Sequence, residues 1–336
     1  MADATTTSPN CPVCHAAQAT LFARSPDREY RTSADVFEYW HCAVCDVVFL
    51  NNPPVTRLRE IYPANYYSYC MDSSRRSWLV SLKEYLDRRL FRQQLNRIPG
   101  DELSVLDVGG GSGWLLSLIR EACPRVKQTH EVDLDETAGE QARALGHQFH
   151  AMRIEEFQST RPFDLIVMLN LIEHVESPAA VLEAMRQLLS ENGRLILKTP
   201  NFKTLDQRLF GDRWGGLHSP RHWVLFTKES LIRLAERCGL RCVEASYTQG
   251  GSQWACSILG WLSERGWIRI TADRPMWRHP LFQPVAALTA GFDLLRTPIS
   301  RTAQMHLTFQ RSGESKVIRP ASQQPIAHER QGSLKT

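Results

Sequence analysis

Between residues 103 and 248 the chain alternates short apolar runs with segments whose apolar side chains recur every three to four positions. LSVLDV (103–108), VKQTHEV (126–132), FDLIVML (163–169), RLILKTP (194–200) and RCVEASYT (241–248) read as strands. WLLSLIREAC (114–123), 136–145, 178–189 and KESLIRLAERCG (228–239) read as helices, the last stopped by Gly239. Alternating β and α elements predict a parallel sheet covered on both faces. MHLTFQR (305–311) reads as a late strand. Upstream, Trp78, Leu82, Tyr85, Leu86, Leu90 and Leu95 fall at helical spacing. They predict a helix over 78–98 with a basic outer face (Lys83, Arg88, Arg89, Arg92, Arg97) and a Pro99-Gly100 stop.

The same pattern divides the chain. Residues 1–10 read as an unstructured lead. Residues 11–52 read as a small cysteine-bearing β module, with β-like runs at 36–40 and 47–50. Residues 53–99 read as a linker and helix, and 100–311 as the main α/β domain, with a helical insertion at 248–304. Residues 312–336 read as a polar, disordered tail.

Composition narrows the class without naming a function. The 336 residues are 43% hydrophobic and 23% charged, which is ordinary globular usage. Lys and Arg number 40 against 36 Asp and Glu, a net +4 that demands no nucleic-acid partner. No apolar run reaches the roughly 18 residues of a membrane span. MADATTTSPN lacks the basic start and apolar stretch of a secretory signal. Nine cysteines make an odd count for a disulfide framework. A reducing, cytoplasmic setting with a metal site fits better. Cys11, Cys14, Cys42 and Cys45 form two C-x2-C pairs, 27 residues apart. Two such pairs complete a closed four-thiolate site for a structural Zn²⁺; free or redox-active thiols are the other reading. His15 and His41 adjoin the pairs but are not needed as ligands. Cys70, Cys123, Cys238, Cys242 and Cys256 are read as core or surface residues.

The chemistry-bearing signal is VLDVGGGSG, residues 105–113. Glycines there let a strand turn sharply into a helix and let a ligand approach the backbone. The dinucleotide frame G-x-G-x-x-G does not fit, because its third glycine would fall on Trp114 or Leu116. The pattern is D-x-G-x-G-x-G, from Asp107 through Gly109, Gly111 and Gly113, with Gly110 between. A pyrophosphate beside Asp107 would pay roughly 4 kcal/mol for a like-charge contact at about 4 Å. S-adenosylmethionine (SAM), with an ammonium and a sulfonium, gains from the same carboxylate; otherwise Asp107 only pins the loop. Asp133 ends the next strand and can accept from both ribose hydroxyls, and Asp135 is free to cap the following helix.

On these residues the chain resembles the class I SAM-dependent methyltransferases over about 100–247. LDVGGGSG is similar to their first motif, and VDLDETAGEQARALG to their second strand and helix. FDLIVMLNLIEHVESPAAVLEAMRQLLSENGRLILKTPN is similar to their fourth and fifth strands, with the EH pair at Glu173-His174. HWVLFTKESLIRLAERCGL is similar to the segment that follows. The resemblance implies a Rossmann-like, doubly wound, seven-stranded sheet whose last strand, here MHLTFQR, is antiparallel. It also implies that Asp107, Gly109, Gly110, Gly111 and Gly113 hold the methionine part of SAM. Asp133 with Leu134 would hold the ribose, Ile154 and Glu155 the adenine edge, and Asn170 the methionine end. The cysteine segment CPVC…HCAVCDVVFLNNPP…IYPANYYSY resembles the zinc-binding head of some bacterial methyltransferases. These include sugar C-methyltransferases, whose further C-terminal domain this chain lacks.

Methyl transfer is an in-line displacement, so the protein mainly aligns donor and acceptor, and a base helps if the acceptor is a hydroxyl or acidic C–H. His174, at the carboxyl edge of the sheet, and His222, in the loop HSPRHWVLF, are the candidate bases; each could instead serve packing. His222 matches the last residue of a Y-H-E-H stretch in the sugar C-methyltransferases, with Arg221 in place of the Glu. Arg221 is then a candidate for binding an anionic substrate. Tyr66 and Tyr67 either line the acceptor pocket or pack a hinge. The insertion reads as a helical lid or as a helix lying on a membrane surface. The expected acceptor is a small molecule: a sugar or glycan first, a lipid-linked intermediate second. A nucleotide-dependent oxidoreductase and a non-catalytic zinc-bearing binding protein are the competing classes, and the glycine frame argues against both. The sequence gives no oligomeric state.

Overall fold

A computed structural model gives the arrangement of residues 8–67 and 78–313. The expected lead and tail fall almost wholly outside these residues, as do Cys70 and the side chains of Trp78, Leu82 and Lys83. The chain opens with β1 (Ala19–Pro26), β2 (Val36–Cys42), β3 (Val47–Leu50), α1 (Leu58–Ile61) and α2 (Trp78–Leu95). It continues through β4 (Leu103–Val108), α3 (Trp114–Ala122), β5 (Val126–Asp133), α4 (Glu136–Ala144), β6 (Gln148–Ala151), β7 (Phe163–Leu169), α5 (Pro178–Leu188) and β8 (Leu189–Pro200). Last come α6 (Leu205–Phe210), β9 (Val224–Leu225), α7 (Lys228–Arg237), β10 (Leu240–Thr248), α8 (Gly251–Glu264), α9 (Phe282–Arg296) and β11 (Gln304–Arg311).

Seven strands form one sheet in the order β10-β11-β8-β7-β4-β5-β6. Strands β4 to β8 are mutually parallel, and β11 runs antiparallel to both β8 and β10. The expected doubly wound sheet with an antiparallel last strand is what forms. Its central strands are apolar on both faces because both are covered. Leu106, Ile166 and Leu195 enter one core with Leu182 of α5 and Leu231 of α7. Val105, Leu165 and Ile196 enter the other with Leu95 of α2 and Leu116 of α3. Each fully buried aliphatic side chain contributes about 1.5–3 kcal/mol. The strand order reverses at β4, which lies between β7 and β5, the place where ligands bind in such sheets.

Strand β8 starts at Leu189, earlier than the sequence pattern predicts. Leu189 is both the C-cap of α5, in extended backbone, and the partner of Phe163. The chain therefore leaves the helix directly into the sheet. Strand β1 was not legible because a bulge between Leu21 and Ala23 breaks its alternation, yet it pairs along β2.

The N-terminal strands build a second, four-stranded sheet ordered β1-β2-β3-β9. Its fourth strand comes from the main domain: Val48 pairs with Leu225 and Phe49 with Val224. Trp40, Val47 and Phe49 sink into the same core as α7. The loop between β8 and α7 is thus clamped between the two sheets. Helices α8 and α9 pack as a hairpin, the helical insertion expected at 248–304. No described helix is long and apolar enough to cross a membrane.

Candidate functional site

Strand β4 ends in the turn that carries the glycines. Gly109, Gly111 and Gly113 hold φ values of +76°, +68° and +74°, which side chains rarely adopt. A Cβ on Gly109 would press on Leu171 at 2.6 Å, and one on Gly110 would strike the Asp107 carboxylate. Beside Gly111 the space is open, with no atom within 4 Å of where a Cβ would stand. That opening is where a ligand can meet the backbone.

Three carboxylates border this turn. Asp107 and Glu131 are register partners on β4 and β5, and Asp133 lies two residues on, on the same face. Asp133 accepts from the Gly111 N–H at 3.1 Å and the Asp135 N–H at 2.9 Å. It faces the turn, while Asp135 caps α4 by accepting from the N–H groups of Thr137 and Ala138. Asp107 is 1% exposed and its Oδ2 has no partner; Glu131 is fully buried and neither carboxylate oxygen has one. Burial, then neighbouring carboxylates, raises Asp107 to about 8 and Glu131 to about 9. Burial also raises Asp133. No Lys or Arg forms an ion pair with any of the three among the described residues, so the turn is bordered by acid with no cation of its own. Glu131 escaped the sequence reading. Its one signal was an acidic residue two positions before Asp133 in a buried strand, where alternation puts both on one face.

The remaining cofactor candidates spread along the carboxyl edge of the sheet. Leu134 and Glu155 are exposed, Ile154 is buried, and Asn170 is exposed at the end of β7 with φ +55°.

Beyond β7 and β8 lies a cluster of histidines. His174 follows β7 in a short 3-10 turn, and His218 and His222 come from the clamped loop. The ring centroids of His174 and His222 are 4.7 Å apart, and those of His218 and His222 are 5.0 Å apart. Their hydrogen bonds fix the tautomers. His222 Nδ1 lies 2.8 Å from the Gly216 carbonyl, which can only accept, so Nδ1 carries the proton. His174 Nδ1 likewise donates to the Arg221 carbonyl at 2.9 Å, with the Tyr62 hydroxyl at 3.0 Å. Nε2 is then the bare acceptor on both rings. Burial first, and neighbouring histidines second, hold His174 near 3 and His222 well below its ordinary range, so both stay neutral. Glu173 is fully buried; its Oε2 accepts from Thr199 at 2.9 Å, while Oε1 is unpartnered and 3.9 Å from His222 Nε2. Burial raises Glu173 to about 7. Ligand atoms of Glu173, His174 and His222 lie within 4.8 Å of one another. Glu173 Oε1 and His222 Nε2 thus face each other beside His174, a spot suited to a substrate hydroxyl or a cation.

His218 was also not singled out from sequence. It donates from Nδ1 to Glu29, 2.9 Å away, and its Nε2 faces the Tyr66 hydroxyl at 3.1 Å. Tyr66 is buried among Tyr30, Tyr62 and Tyr67, and Tyr67 is 40% exposed.

Arg221 needs correction. It was expected to bind an anionic substrate, but it is completely buried. Its guanidinium pairs with both Asp27 oxygens, at 2.8 and 3.2 Å, and donates to the carbonyls of Ile61 and Ser219. It also stacks on Tyr30 at 4.3 Å. These contacts occupy the fork, so Arg221 ties the N-terminal sheet to the histidine loop.

In the N-terminal module none of the four paired cysteines forms a disulfide. The Sγ atoms of Cys11 and Cys45, and of Cys14 and Cys42, are 3.5 Å apart, far beyond a disulfide length of about 2.05 Å. All four Sγ atoms lie within 4.8 Å of one another. Sulfurs at about 2.3 Å from a tetrahedral centre would be spaced at nearly this distance.

Residues 82–245 match the family model described as a methyltransferase domain. That segment begins in α2, ends in β10, and contains the glycine turn, the three carboxylates and all three histidines. A ubiquinone biosynthesis O-methyltransferase from Xylella fastidiosa is 33% identical over 114 residues, 31% of this chain and 45% of the relative. One from Neisseria meningitidis is 33% identical over 107 residues, 29% of this chain and 44% of the relative. The chain thus spans under half the length of these curated relatives. A magnesium protoporphyrin IX methyltransferase from Synechocystis with bound SAH has TM-score 0.45 and 14% identity, covering 77% of this chain and 94% of that one. A sarcosine dimethylglycine methyltransferase from Galdieria sulphuraria has TM-score 0.48 and 11% identity, covering 69% and 88%.

Proposed function

We propose that this protein transfers the methyl group of SAM to a small-molecule acceptor. The observation that carries the reading is the opening at Gly111, bordered by Asp107, Glu131 and Asp133 with no cation among them. A ligand that brings positive charge and can approach bare backbone suits it; a pyrophosphate does not. The residues fit SAM as a group: Asp107 and the glycines would hold the methionine part and Asp133 the ribose. Leu134, Ile154, Glu155 and Asn170 are the remaining candidates along the same edge. When bound, SAM supplies a methyl carbon on a good leaving group.

The chain's own residues then orient the acceptor and move its proton. His222 Nε2 would accept the proton of an acceptor hydroxyl held at this spot, and the methyl group would come from SAM. Glu173 Oε1, beside that nitrogen, steadies the imidazolium. His174, held by Tyr62 and the Arg221 carbonyl, offers a second acceptor on the same spot. Tyr66 and Tyr67 close the side toward the N-terminal module. Hydroxyl oxygen as the accepting atom is supported by the likeness to O-methyltransferases. A sugar or glycan hydroxyl is the acceptor class that the head and the histidine loop support. A lipid-linked acceptor is the second reading, favoured by the apolar outer face of α9.

Titration calorimetry with SAM and with NAD tests the first step: SAM should bind and NAD should not. Binding of NAD with none of SAM would overturn the reading. Incubation with methyl-labelled SAM and host extract then identifies the acceptor. For the head, we propose a structural Zn²⁺ on Cys11, Cys14, Cys42 and Cys45. Elemental analysis should find one zinc per chain. Removing it with a chelator should lower the unfolding temperature.

A further inference from the structure

We propose that the outer face of α9 docks on an anionic lipid surface. A surface helix of a globular domain normally turns its apolar stripe inward and its charge outward. Helix α9 is apolar on both sides. Its inner side packs Phe282 and Val285 against the core around Leu259 and Met276 and meets α8 through small and polar groups. Ala286 and Ala290 press on Gly251 of α8, Thr289 bonds the Gly251 carbonyl, and buried Asp293 accepts from the Gly250 N–H and Trp254 Nε1. Its outer side is apolar. Leu288, Leu295 and Ile299 are 76%, 84% and 88% exposed, and Leu281, Phe292 and Leu294 flank them. Leu281, Leu288, Phe292, Leu295 and Ile299 follow one another at intervals of three, four or seven, which is one stripe. Between residues 280 and 300 the only charged side chains are Asp293 and Arg296, and these face each other at 3.4 Å.

Charge chooses the occupant. Residues 265–301 hold six arginines against two aspartates, an excess equal to the +4 of the whole chain. Arg265, Arg269, Arg274, Arg278 and Arg301 are all exposed. Trp267, 65% exposed, adds an aromatic ring of the kind that settles at a lipid headgroup layer. Arg301 is paired with Glu229 and Arg265 lies over the Trp261 ring; Arg269, Arg274 and Arg278 lie in the exposed segment leading into α9. An apolar helix face with such a basic flank attracts anionic headgroups. The same flank would repel a second copy of the chain brought face to face by a two-fold axis.

Co-sedimentation of the full chain with phosphatidylcholine vesicles, with and without phosphatidylglycerol, tests this. The protein should partition about tenfold better to the anionic vesicles. The double variant Leu288→Glu/Leu295→Glu should lose that binding about tenfold. Its unfolding temperature should not change, since both side chains stand in solvent. Equal binding by the variant, or no binding by the wild type, overturns the proposal. So does a dimer that Leu295→Glu dissociates, which would make a second copy the occupant. A cross-link from Leu295→Cys to residues 314–336 of the same chain would make that segment the occupant and also overturn it. None of these outcomes depends on methyl transfer.

Discussion

The two halves of the site are polarised in opposite ways. At the glycine turn, carboxylates are buried with oxygens left over: Asp107 Oδ2 and both oxygens of Glu131 have no partner. At the histidine loop every ring has its Nδ1 proton committed, to Gly216, to Arg221 or to Glu29. One half lacks a cation; in the other, His174 and His222 are neutral and oriented. A buried unpaired carboxylate is costly unless a ligand brings the missing charge, whereas a buried neutral imidazole with one satisfied nitrogen is not. The difference teaches that the first half leaves its buried acids unsatisfied within the chain, while the second satisfies its rings from the chain's own carbonyls and acid.

The contrast can be broken hardest at His222. His222→Ala should lower kcat by about 10²–10⁴-fold while SAM affinity is unchanged, because the base serves only the transition state. Turnover at the wild-type rate would remove His222 from the chemistry. Next in size, Asp133→Ala should weaken SAM binding by about 10–100-fold, the loss of charge-assisted hydrogen bonds worth about 1.5–3 kcal/mol. Calorimetry showing unaltered affinity would detach Asp133 from the ligand.

Glu131→Gln should act on stability. Asp107 and Glu131 titrate near 8 and 9 in the fold, above their ordinary 3.8 and 4.5. The folded chain therefore binds more protons than the unfolded one, and ligand-free stability falls as pH climbs from about 4 toward 9. Buried His174, lowered from 6.5 to about 3, works in the other direction, but its contribution is complete above pH 6.5. Thermal unfolding between pH 6.5 and 9 thus leaves out the histidines, and comparing the variant with the wild type cancels the opposing contribution of Cys11, whose thiol is lowered to about 5. Glu131→Gln should flatten that slope and raise stability at the alkaline end by about 1–3 kcal/mol. A slope identical to the wild type's would show that Glu131 carries no strain there. The smallest effect is expected from Tyr62→Phe, which leaves His174 its carbonyl partner: a fall in kcat of less than about tenfold.

Much of the cofactor half was legible because it is local. Asp107, the glycines, Asp133 and the cap at Asp135 all lie within thirty residues, and the strand-turn-helix pattern states their relation. Glu131 was overlooked because β5, VKQTHEVD, is polar along most of its length, so one more polar residue carries no signal, and its burial depends on the covering helices. The acceptor half was legible only in part. His174 and His222 stood out by type, but His218 is defined by Glu29 and Arg221 by Asp27, each nearly two hundred residues away in sequence. Nothing local tells an arginine in a polar loop that its partner lies in another sheet. Strand β9, two residues long, is likewise visible only once β3 stands beside it.

The pairing of β3 with β9 reaches further than its two residues suggest. The segment that matches known methyltransferases starts after the N-terminal sheet, so trimming the chain to that segment would look like isolating the enzyme. It would instead leave Arg221 as an uncompensated cation and His218 without its orienting acid. The loop bearing the presumed base would have no floor. The N-terminal sheet is therefore part of what holds the histidine loop in place, and a minimal version of this protein has to begin at the first cysteine.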